Sequence, residues 1–311
     1  MSSSIQPKIL IIVGPTACRK TYYSLQIAEK HNAEIISADS MLIYKYLDIG
    51  TAKPSHEEQM RVPHHMIDII NPHEYFSAKD FETKVDQIIS DIHTRGKNII
   101  VVGGTGFFIK AFTKGLFDLP SDNLTEIRLK LENETTEELY KKLQSFDRKK
   151  AIELHPHNRL RIIRALEVYY LTGRPISEFQ EEHQFQKNKY SYLKIGLFLE
   201  RSVMYERINA RVDHMIAMGL EEEVKNLLSL GYDKKNKPLK TFAYSYFIDA
   251  HEKLITREVA IEKTKQGTRR FAKRQLTWYK KDSEILWLHA MNDEQKTFEI
   301  CNDFFNGGSI S

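Results

Sequence analysis

The sequence predicts an α/β fold: a parallel β-sheet covered by helices on both faces, with a small helical domain inserted into it. Three observations carry that expectation. Compact β-rich runs such as Lys8 to Val13 (KILIIV) and Asn98 to Val102 (NIIVV) alternate with helix-compatible stretches, and strands buried on both faces read as nearly continuous apolar runs. Both runs end in glycine-bearing turns, Gly14-Pro15 after the first and Gly103-Gly104-Thr105-Gly106 after the second. From about Leu116 to Lys189 the periodicity is charged and helical, with no convincing strand.

The elements follow in order. After the first strand breaks at Gly14-Pro15, Thr21 to Lys30 (TYYSLQIAEK) has helical spacing. Glu34 to Ser37 (EIIS) repeats the strand grammar, and Asn98 to Val102 supplies a further strand ahead of the apolar stretch FFIKAF. Leu193 to Leu199 (LKIGLFL) and Glu284 to Leu288 (EILWL) are the later strands, so the sheet draws on both ends of the chain. The expected core is therefore 1–115 with 190–311, and the insertion 116–189. In the later half Met204, Ile208, Val212, Met215, Ile216, Leu220, Val224 and Leu227 fall mostly three or four apart, which gives a long amphipathic helical region broken near Gly219. Met1 to Gln6 and Gly307 to Ser311 are expected to fray.

Composition bounds the function. The 311 residues are 41% hydrophobic and 28% charged, an ordinary globular mix that can bury a sizeable core. The longest apolar run, Ile9 to Val13, is far short of the ~20 residues that span a membrane, so a cytoplasmic protein is expected. Cys18 and Cys301 offer neither a CxxC pair nor a disulfide framework. The net charge of +4 is mild, but Lys263 to Lys281 (KTKQGTRRFAKRQLTWYKK) carries eight basic residues and no acidic one, while the remainder is slightly acidic. Such asymmetry suits a face that binds a polyanion.

Gly14-Pro15-Thr16-Ala17-Cys18-Arg19-Lys20-Thr21 joins the first strand to a helix. A loop so placed turns backbone N–H groups toward a phosphate, with Lys20, Thr21 and the helix dipole adding to the attraction. Arg19 stands where the motif G-x-x-x-x-G-K-[ST] has its second glycine, and there it either obstructs close approach or sets a guanidinium on the anion. Asp39 follows the second strand, at the end that points side chains into the ligand crevice of a parallel sheet. Its carboxylate could hold Mg²⁺ through water, take a proton from a nucleophile, or simply cap a helix or close an Asx turn. Thr105 supplies a hydroxyl at the third strand's turn. His64-His65 lacks the spacing of a zinc site. Arg128, Arg161 and Arg164 lie in the inserted block, where a solvated helix face competes with a binding role. In the basic segment Phe271, Trp278 and Tyr279 interleave with the cations, a combination fit for phosphate contact and base stacking.

Taken together, GPTACRKT, ISADSMLIYKYLDIGTAKPS, VPHHMIDIINP, VVGGTGFFIKAF, HPHNRLRIIRALEVYYLTGRP, ERINARVDHMIAMGLEEEV and TRRFAKRQLTWYKK, in that order, closely resemble the bacterial tRNA dimethylallyltransferase family, also called tRNA isopentenyltransferases. The resemblance runs through nearly the whole chain and implies a P-loop NTPase-like core with a helical insertion. It implies transfer of a dimethylallyl group from dimethylallyl diphosphate to the exocyclic amine of the adenosine 3′ of the anticodon, with Mg²⁺ and with no zinc, flavin or NAD. It also implies roles. The loop from Gly14 to Thr21 grips diphosphate, with Thr21 at the Mg²⁺; Asp39 is the proton acceptor; Thr105 hydrogen-bonds the leaving diphosphate; Arg211 lies near the same group. The matching tRNA-contact positions are Asp39, Ser40, Met41, Leu42, Thr105, Arg128 and the run Leu160, Arg161, Ile162, Ile163 and Arg164, with Arg269, Arg270, Lys273 and Arg274 gripping the RNA backbone. A flipped-out base and a splayed anticodon loop are the expected target, and a monomer the expected state.

The chain departs from the family pattern at Arg19, usually glycine; at Leu42 and Leu160, usually glutamine; and at Phe242 to Tyr246 (FAYSY), usually IGYKE-like. Leucine can only pack where an amide could read a base edge. Two other readings therefore stand beside the prenyltransferase: a tRNA-binding homologue with impaired chemistry, and a P-loop kinase of a small metabolite.

Overall fold

The structure, a computed structural model, describes residues 7–117, 123–183 and 188–307. Of the segments expected to fray, 1–6 and 308–311 lie outside the described residues, whereas Gly307 is inside and closes the last helix at φ 88°. The chain divides into two compact units, 1–113 with 190–311, and 114–189.

The first unit opens with strand β1 (Lys8–Val13), helix α1 (Lys20–Lys30), β2 (Ala33–Ser37), α2 (His56–Arg61), β3 (His64–His65), α3 (Ala78–Thr94), β4 (Asn98–Gly103) and α4 (Gly106–Lys114). The second unit holds α5 (Leu124–Glu132), α6 (Thr136–Phe146), α7 (Arg148–Glu153), α8 (Arg159–Thr172) and α9 (Ile176–His183). The chain then returns with β5 (Ser191–Phe198), α10 (Arg201–Ala217), α11 (Leu220–Ser229), α12 (Phe242–His251), α13 (Arg257–Tyr279), β6 (Ile285–His289) and α14 (Glu294–Asn306). The strands form one sheet in the order β3-β2-β4-β1-β5-β6, every pairing parallel. The five strands read from the sequence are present. β3 is an addition to them; at two residues it is too short to show any alternation.

Successive side chains of a strand point to opposite faces, and β1 shows the consequence. Ile9, Ile11 and Val13 belong to one buried cluster with Val85, Phe112 and Tyr244, while Leu10 and Ile12 belong to the other with Tyr23, Ile208 and Leu288. Both faces are covered, so β1 from Ile9 to Val13 and β4 from Ile99 to Val102 carry apolar residues at successive positions. The break near Gly219 is observed: α10 ends at Ala217, Gly219 takes φ 99°, and α11 begins at Leu220. A left-handed residue at a helix junction is where glycine lacks the penalty of a Cβ.

The second unit has a core of its own, built from Leu131, Leu139, Leu143, Ile162, Ile163, Leu166 and Val168 among others. Thr135 and Glu138 close a capping box at the start of α6. Asp147 caps α7 and also accepts from the Ser177 amide at 3.0 Å and the Ser177 hydroxyl at 2.8 Å.

Candidate active site

β1 ends at Val13, and the turn after it is shaped by its neighbour strand. A Cβ on Gly14 would lie 2.4 Å from the Leu197 carbonyl oxygen, and the residue sits at φ 143°. The loop then takes positive φ at Ala17 (68°) and Arg19 (59°) before α1 begins at Lys20. Arg19 thus adopts the left-handed conformation that glycine favours at this position. No side chain caps α1, so its first-turn N–H groups are left to an anion. The Arg19 side chain has protein partners of its own. Its Nη1 donates to Glu294 Oε2 at 2.6 Å and to the Ala290 carbonyl at 3.2 Å, and the guanidinium lies 4.1 Å from the Tyr22 ring centre. Tyr22 donates to the other Glu294 oxygen at 2.6 Å.

A cavity of about 1120 Å³ opens where β1 and β2 end. Thr16, Ala17, Cys18, Arg19, Lys20 and Thr21 line it on one side; Ser37, Asp39, Ser40, Met41 and Leu42 contribute from the end of β2; Arg207 and Arg211 enter from α10. Lys20 and Asp39, which the chain separates by a whole βα unit, therefore share one cavity. Lys20 Nζ donates to the Pro15 carbonyl at 2.8 Å. Burial lowers the Lys20 ammonium to about 8, with Arg211 pressing in the same direction and Asp39 opposing. Burial also lowers Arg211, again against Asp39. Two partly buried cations beside one carboxylate leave the cavity short of negative charge, and an anionic ligand would relieve it.

Asp39 Oδ1 accepts from the Met41 amide at 2.9 Å, the Asx-type contact foreseen as one alternative, and Oδ2 has no hydrogen-bond partner among the described residues. Thr105 is outside the cavity lining. Its Oγ1 accepts from the Ser40 amide at 3.0 Å and donates to Ser40 Oγ at 3.3 Å, so it holds the Asp39–Ser40 backbone from behind. Gly14 and Pro15 likewise shape the loop without lining the cavity. The Cys18 side chain is packed in the apolar cluster, and burial pushes its thiol up to about 11. Ser37 Oγ is buried with no partner among the described residues. Ser37, Thr21 and Asp39 all line the cavity and offer oxygens of the kind Mg²⁺ takes, with water and phosphate oxygens left to complete its shell, since among the described residues no group of three or more histidine, cysteine or carboxylate side chains could hold a metal alone. His64 Nδ1 sits 2.7 Å from the Val62 carbonyl and His65 Nε2 2.7 Å from Glu34; both residues serve the β3 edge.

α13 lays one face along the cavity: Thr264, Gly267, Thr268, Arg270, Phe271, Arg274 and Gln275 line it. Sequence reasoning misses Gln275, whose partners stand more than 170 residues away, and Arg207, which the i, i+4 spacing with Arg211 on one helix could have revealed. Arg207 Nε donates to the Ala17 carbonyl at 2.9 Å. Two expectations need correction, that of Tyr279 and that of Ile162 and Ile163. Tyr279 is 2% exposed and belongs to the sheet core, so it is not a stacking residue. Arg269 is engaged by Asn209 at 2.7 Å and Glu262 at 2.9 Å, whereas Arg270, Lys273 and Arg274 are exposed. In the second unit Ile162 and Ile163 are core residues and cannot offer side chains to RNA, while Leu160 and Arg161 are exposed. Arg164 pairs with Glu167 at 3.1 Å, and Arg128 lies 3.2 Å from Glu132 and 3.5 Å from Glu167.

An uncapped helix start after the central strand of a parallel sheet, with two lysines, five arginines and a carboxylate lining one cavity, defines a phosphate-handling α/β protein. The comparisons with known proteins give that class its family. The family model described as IPP transferase matches residues 42–282. A tRNA dimethylallyltransferase 2 of Geotalea uraniireducens is 47% identical over 298 residues, covering 95% of each chain. One of Syntrophus aciditrophicus is 44% identical over 299 residues, covering 95% of this chain and 96% of its own. Among solved structures, the tRNA isopentenylpyrophosphate transferase of Bacillus halodurans superposes with TM-score 0.72 at 37% identity, over 97% of this chain and 96% of that one. A eukaryotic dimethylallyltransferase acting on tRNA superposes with TM-score 0.82 at 29% identity, over 98% and 81%. The chain belongs to the IPP transferase family, the tRNA dimethylallyltransferases, whose P-loop NTPase-like core it shares. Among the described residues no helix is long and apolar enough to cross a membrane.

Proposed function

We propose that this chain transfers the dimethylallyl group of dimethylallyl diphosphate to the exocyclic amine of the adenosine 3′ of the anticodon in tRNA, in the cytoplasm. The observation that carries this reading is the shared cavity, whose lining holds an anion cradle, a carboxylate and apolar side chains together. The diphosphate sits at the α1 N-terminus, against Lys20, Arg211 and Arg207. Mg²⁺, held through the Thr21 hydroxyl, would supply further neutralisation of the diphosphate charge.

In the transfer the amine nitrogen bonds to the allylic carbon as the carbon–oxygen bond breaks and its electron pair leaves with the diphosphate. Lys20 and the arginines stabilise that departing charge, work suited to preorganised donors in a desolvated site. The nitrogen gives up a proton, and Asp39 Oδ2 is the acceptor. Val212, Met215, Phe242 and Phe271 line the same cavity and keep water from the carbon as cationic character develops. The adenine enters after flipping from its stack, at a cost of roughly a few kcal/mol. To donate to the leaving group Thr105 need only turn its proton from Ser40 Oγ, while its oxygen goes on accepting from the Ser40 amide and fixing the backbone beside Asp39.

The test is to incubate the protein with dimethylallyl-labelled diphosphate, Mg²⁺ and unmodified tRNA carrying adenosine 3′ of the anticodon, and to identify the product nucleoside by mass. Label retained in the RNA as an isopentenyladenosine supports the reading. Tight tRNA binding without label would make the chain an impaired homologue, and phosphorylation of a small acceptor would make it a kinase.

A further inference from the structure

We propose that Gln275 is a positioning residue for the transfer: through it α13 fixes the spacing of the two turns that flank the diphosphate, an inference that rests on the function proposed above. The side chain is buried and used at both ends. Its Oε1 accepts from the Thr16 amide at 2.9 Å, and its Nε2 donates to the Gly104 carbonyl at 3.0 Å. Thr16 belongs to the turn after β1 and Gly104 to the turn after β4, and these strands are paired neighbours in the sheet. One carboxamide therefore bridges the two loops at the mouth of the crevice.

The residue type follows from the task. Facing an N–H on one side and a carbonyl on the other, a side chain must accept and donate from one planar, neutral group. Glutamate cannot donate to the carbonyl, and lysine or arginine cannot accept from the amide. The glycines of the second turn make room for the same face of the helix. A Cβ on Gly104 would lie 2.1 Å from Gln275 Nε2, and one on Gly106 would lie 2.1 Å from Trp278 Nε1. The GGTG turn is thus shaped to seat α13 at two side chains one helical turn apart. Since Thr16 N–H is committed to Gln275, the amides further along the loop are held in place as the anion donors, and that fixed arrangement is what Gln275 contributes.

Gln275→Met keeps the length of the side chain and removes both hydrogen bonds. The measurements are the Kd of inorganic pyrophosphate with Mg²⁺, the KM of dimethylallyl diphosphate, the Kd of tRNA and the melting temperature, in the full chain. The expected result is a rise of roughly ten- to hundredfold in the pyrophosphate Kd and the donor KM, with the tRNA Kd within about twofold of wild type. Wild-type pyrophosphate affinity would overturn the proposal. So would an equal loss of pyrophosphate and tRNA affinity with a lowered melting temperature, the mark of a helix that merely loosened. If the methionine variant fails to fold, Gln275→Asn, one methylene short of spanning the gap, is held to the same split. A wild-type protein that binds pyrophosphate yet transfers no label would refute the function above while leaving the pyrophosphate measurement to decide the role of Gln275.

Discussion

Asp39 uses its two oxygens differently, and the difference dictates how the residue should be probed. Oδ1 accepts from the Met41 amide and shapes the turn; Oδ2 is the oxygen left for a proton. Asparagine can keep the first interaction and cannot do the second. Asp39→Asn should therefore bind tRNA as wild type does while turnover falls on the order of 10²–10⁴-fold; single-turnover kinetics beside filter binding checks this, and retained turnover would remove Asp39 from the chemistry. Arg19 poses the opposite case. Its charge is paired with Glu294, and its side chain is stacked on Tyr22, away from the duties of Lys20. Glycine there would relieve the left-handed strain, roughly 1–2 kcal/mol, and lose a partly exposed ion pair, about 0–1 kcal/mol. The two terms offset, so Arg19→Gly should leave the donor KM within about threefold and shift the melting temperature by only a few degrees. A tenfold rise in KM would place the guanidinium on the diphosphate after all.

At the scale of the element, α13 carries a buried stripe beside an exposed basic one, and Arg270 and Arg274 of the basic stripe reach the cavity as Gln275 does. Buried Thr268, Ala272, Gln275 and Tyr279 recur at helical spacing, while Arg270, Lys273 and Arg274 remain exposed. Replacing Arg270 and Arg274 by alanine should weaken tRNA binding and flatten its salt dependence, by a slope of up to about 0.7–0.9 for each phosphate that is no longer neutralised. Arg269→Ala should flatten it less, because that guanidinium is already engaged by Glu262 and Asn209. Titrating tRNA at several salt concentrations separates the two, and an identical slope in the double variant would take this face off the RNA. The sequence makes the charge of α13 visible and hides its packing. Tyr279 looks like an aromatic among cations until its register with Ala272 and Gln275 is followed along the helix. Gln275 could not be found locally at all, since its partners lie at Thr16 and Gly104. Arg207 could have been found, four residues before Arg211. Strands β1 and β4 were legible because burial on both faces writes continuous apolar runs, whereas β3 exists only by pairing with β2.

For the whole molecule the consequence of two cores is that stability and function can be perturbed separately. The unit holding the cavity is built around the sheet, and the unit of α5 to α9 buries its own cluster with Leu166 fully enclosed. Truncating Leu166 to alanine leaves a cavity among Leu139, Leu143 and Ile162, which costs about 3 kcal/mol for a leucine so enclosed. None of that loss falls on the anion cradle, whose residues belong to the other unit. Pyrophosphate does the reverse: it binds only the folded cradle and raises the stability of that unit by mass action, about 2.7 kcal/mol at a hundred times its Kd. Calorimetry of the full chain should accordingly resolve two transitions. Leu166→Ala should lower one, pyrophosphate with Mg²⁺ should raise the other, and the pyrophosphate Kd of the variant should match wild type. One transition moved by both perturbations would mean that the two cores unfold together and that the helical unit's stability also sets that of the catalytic one.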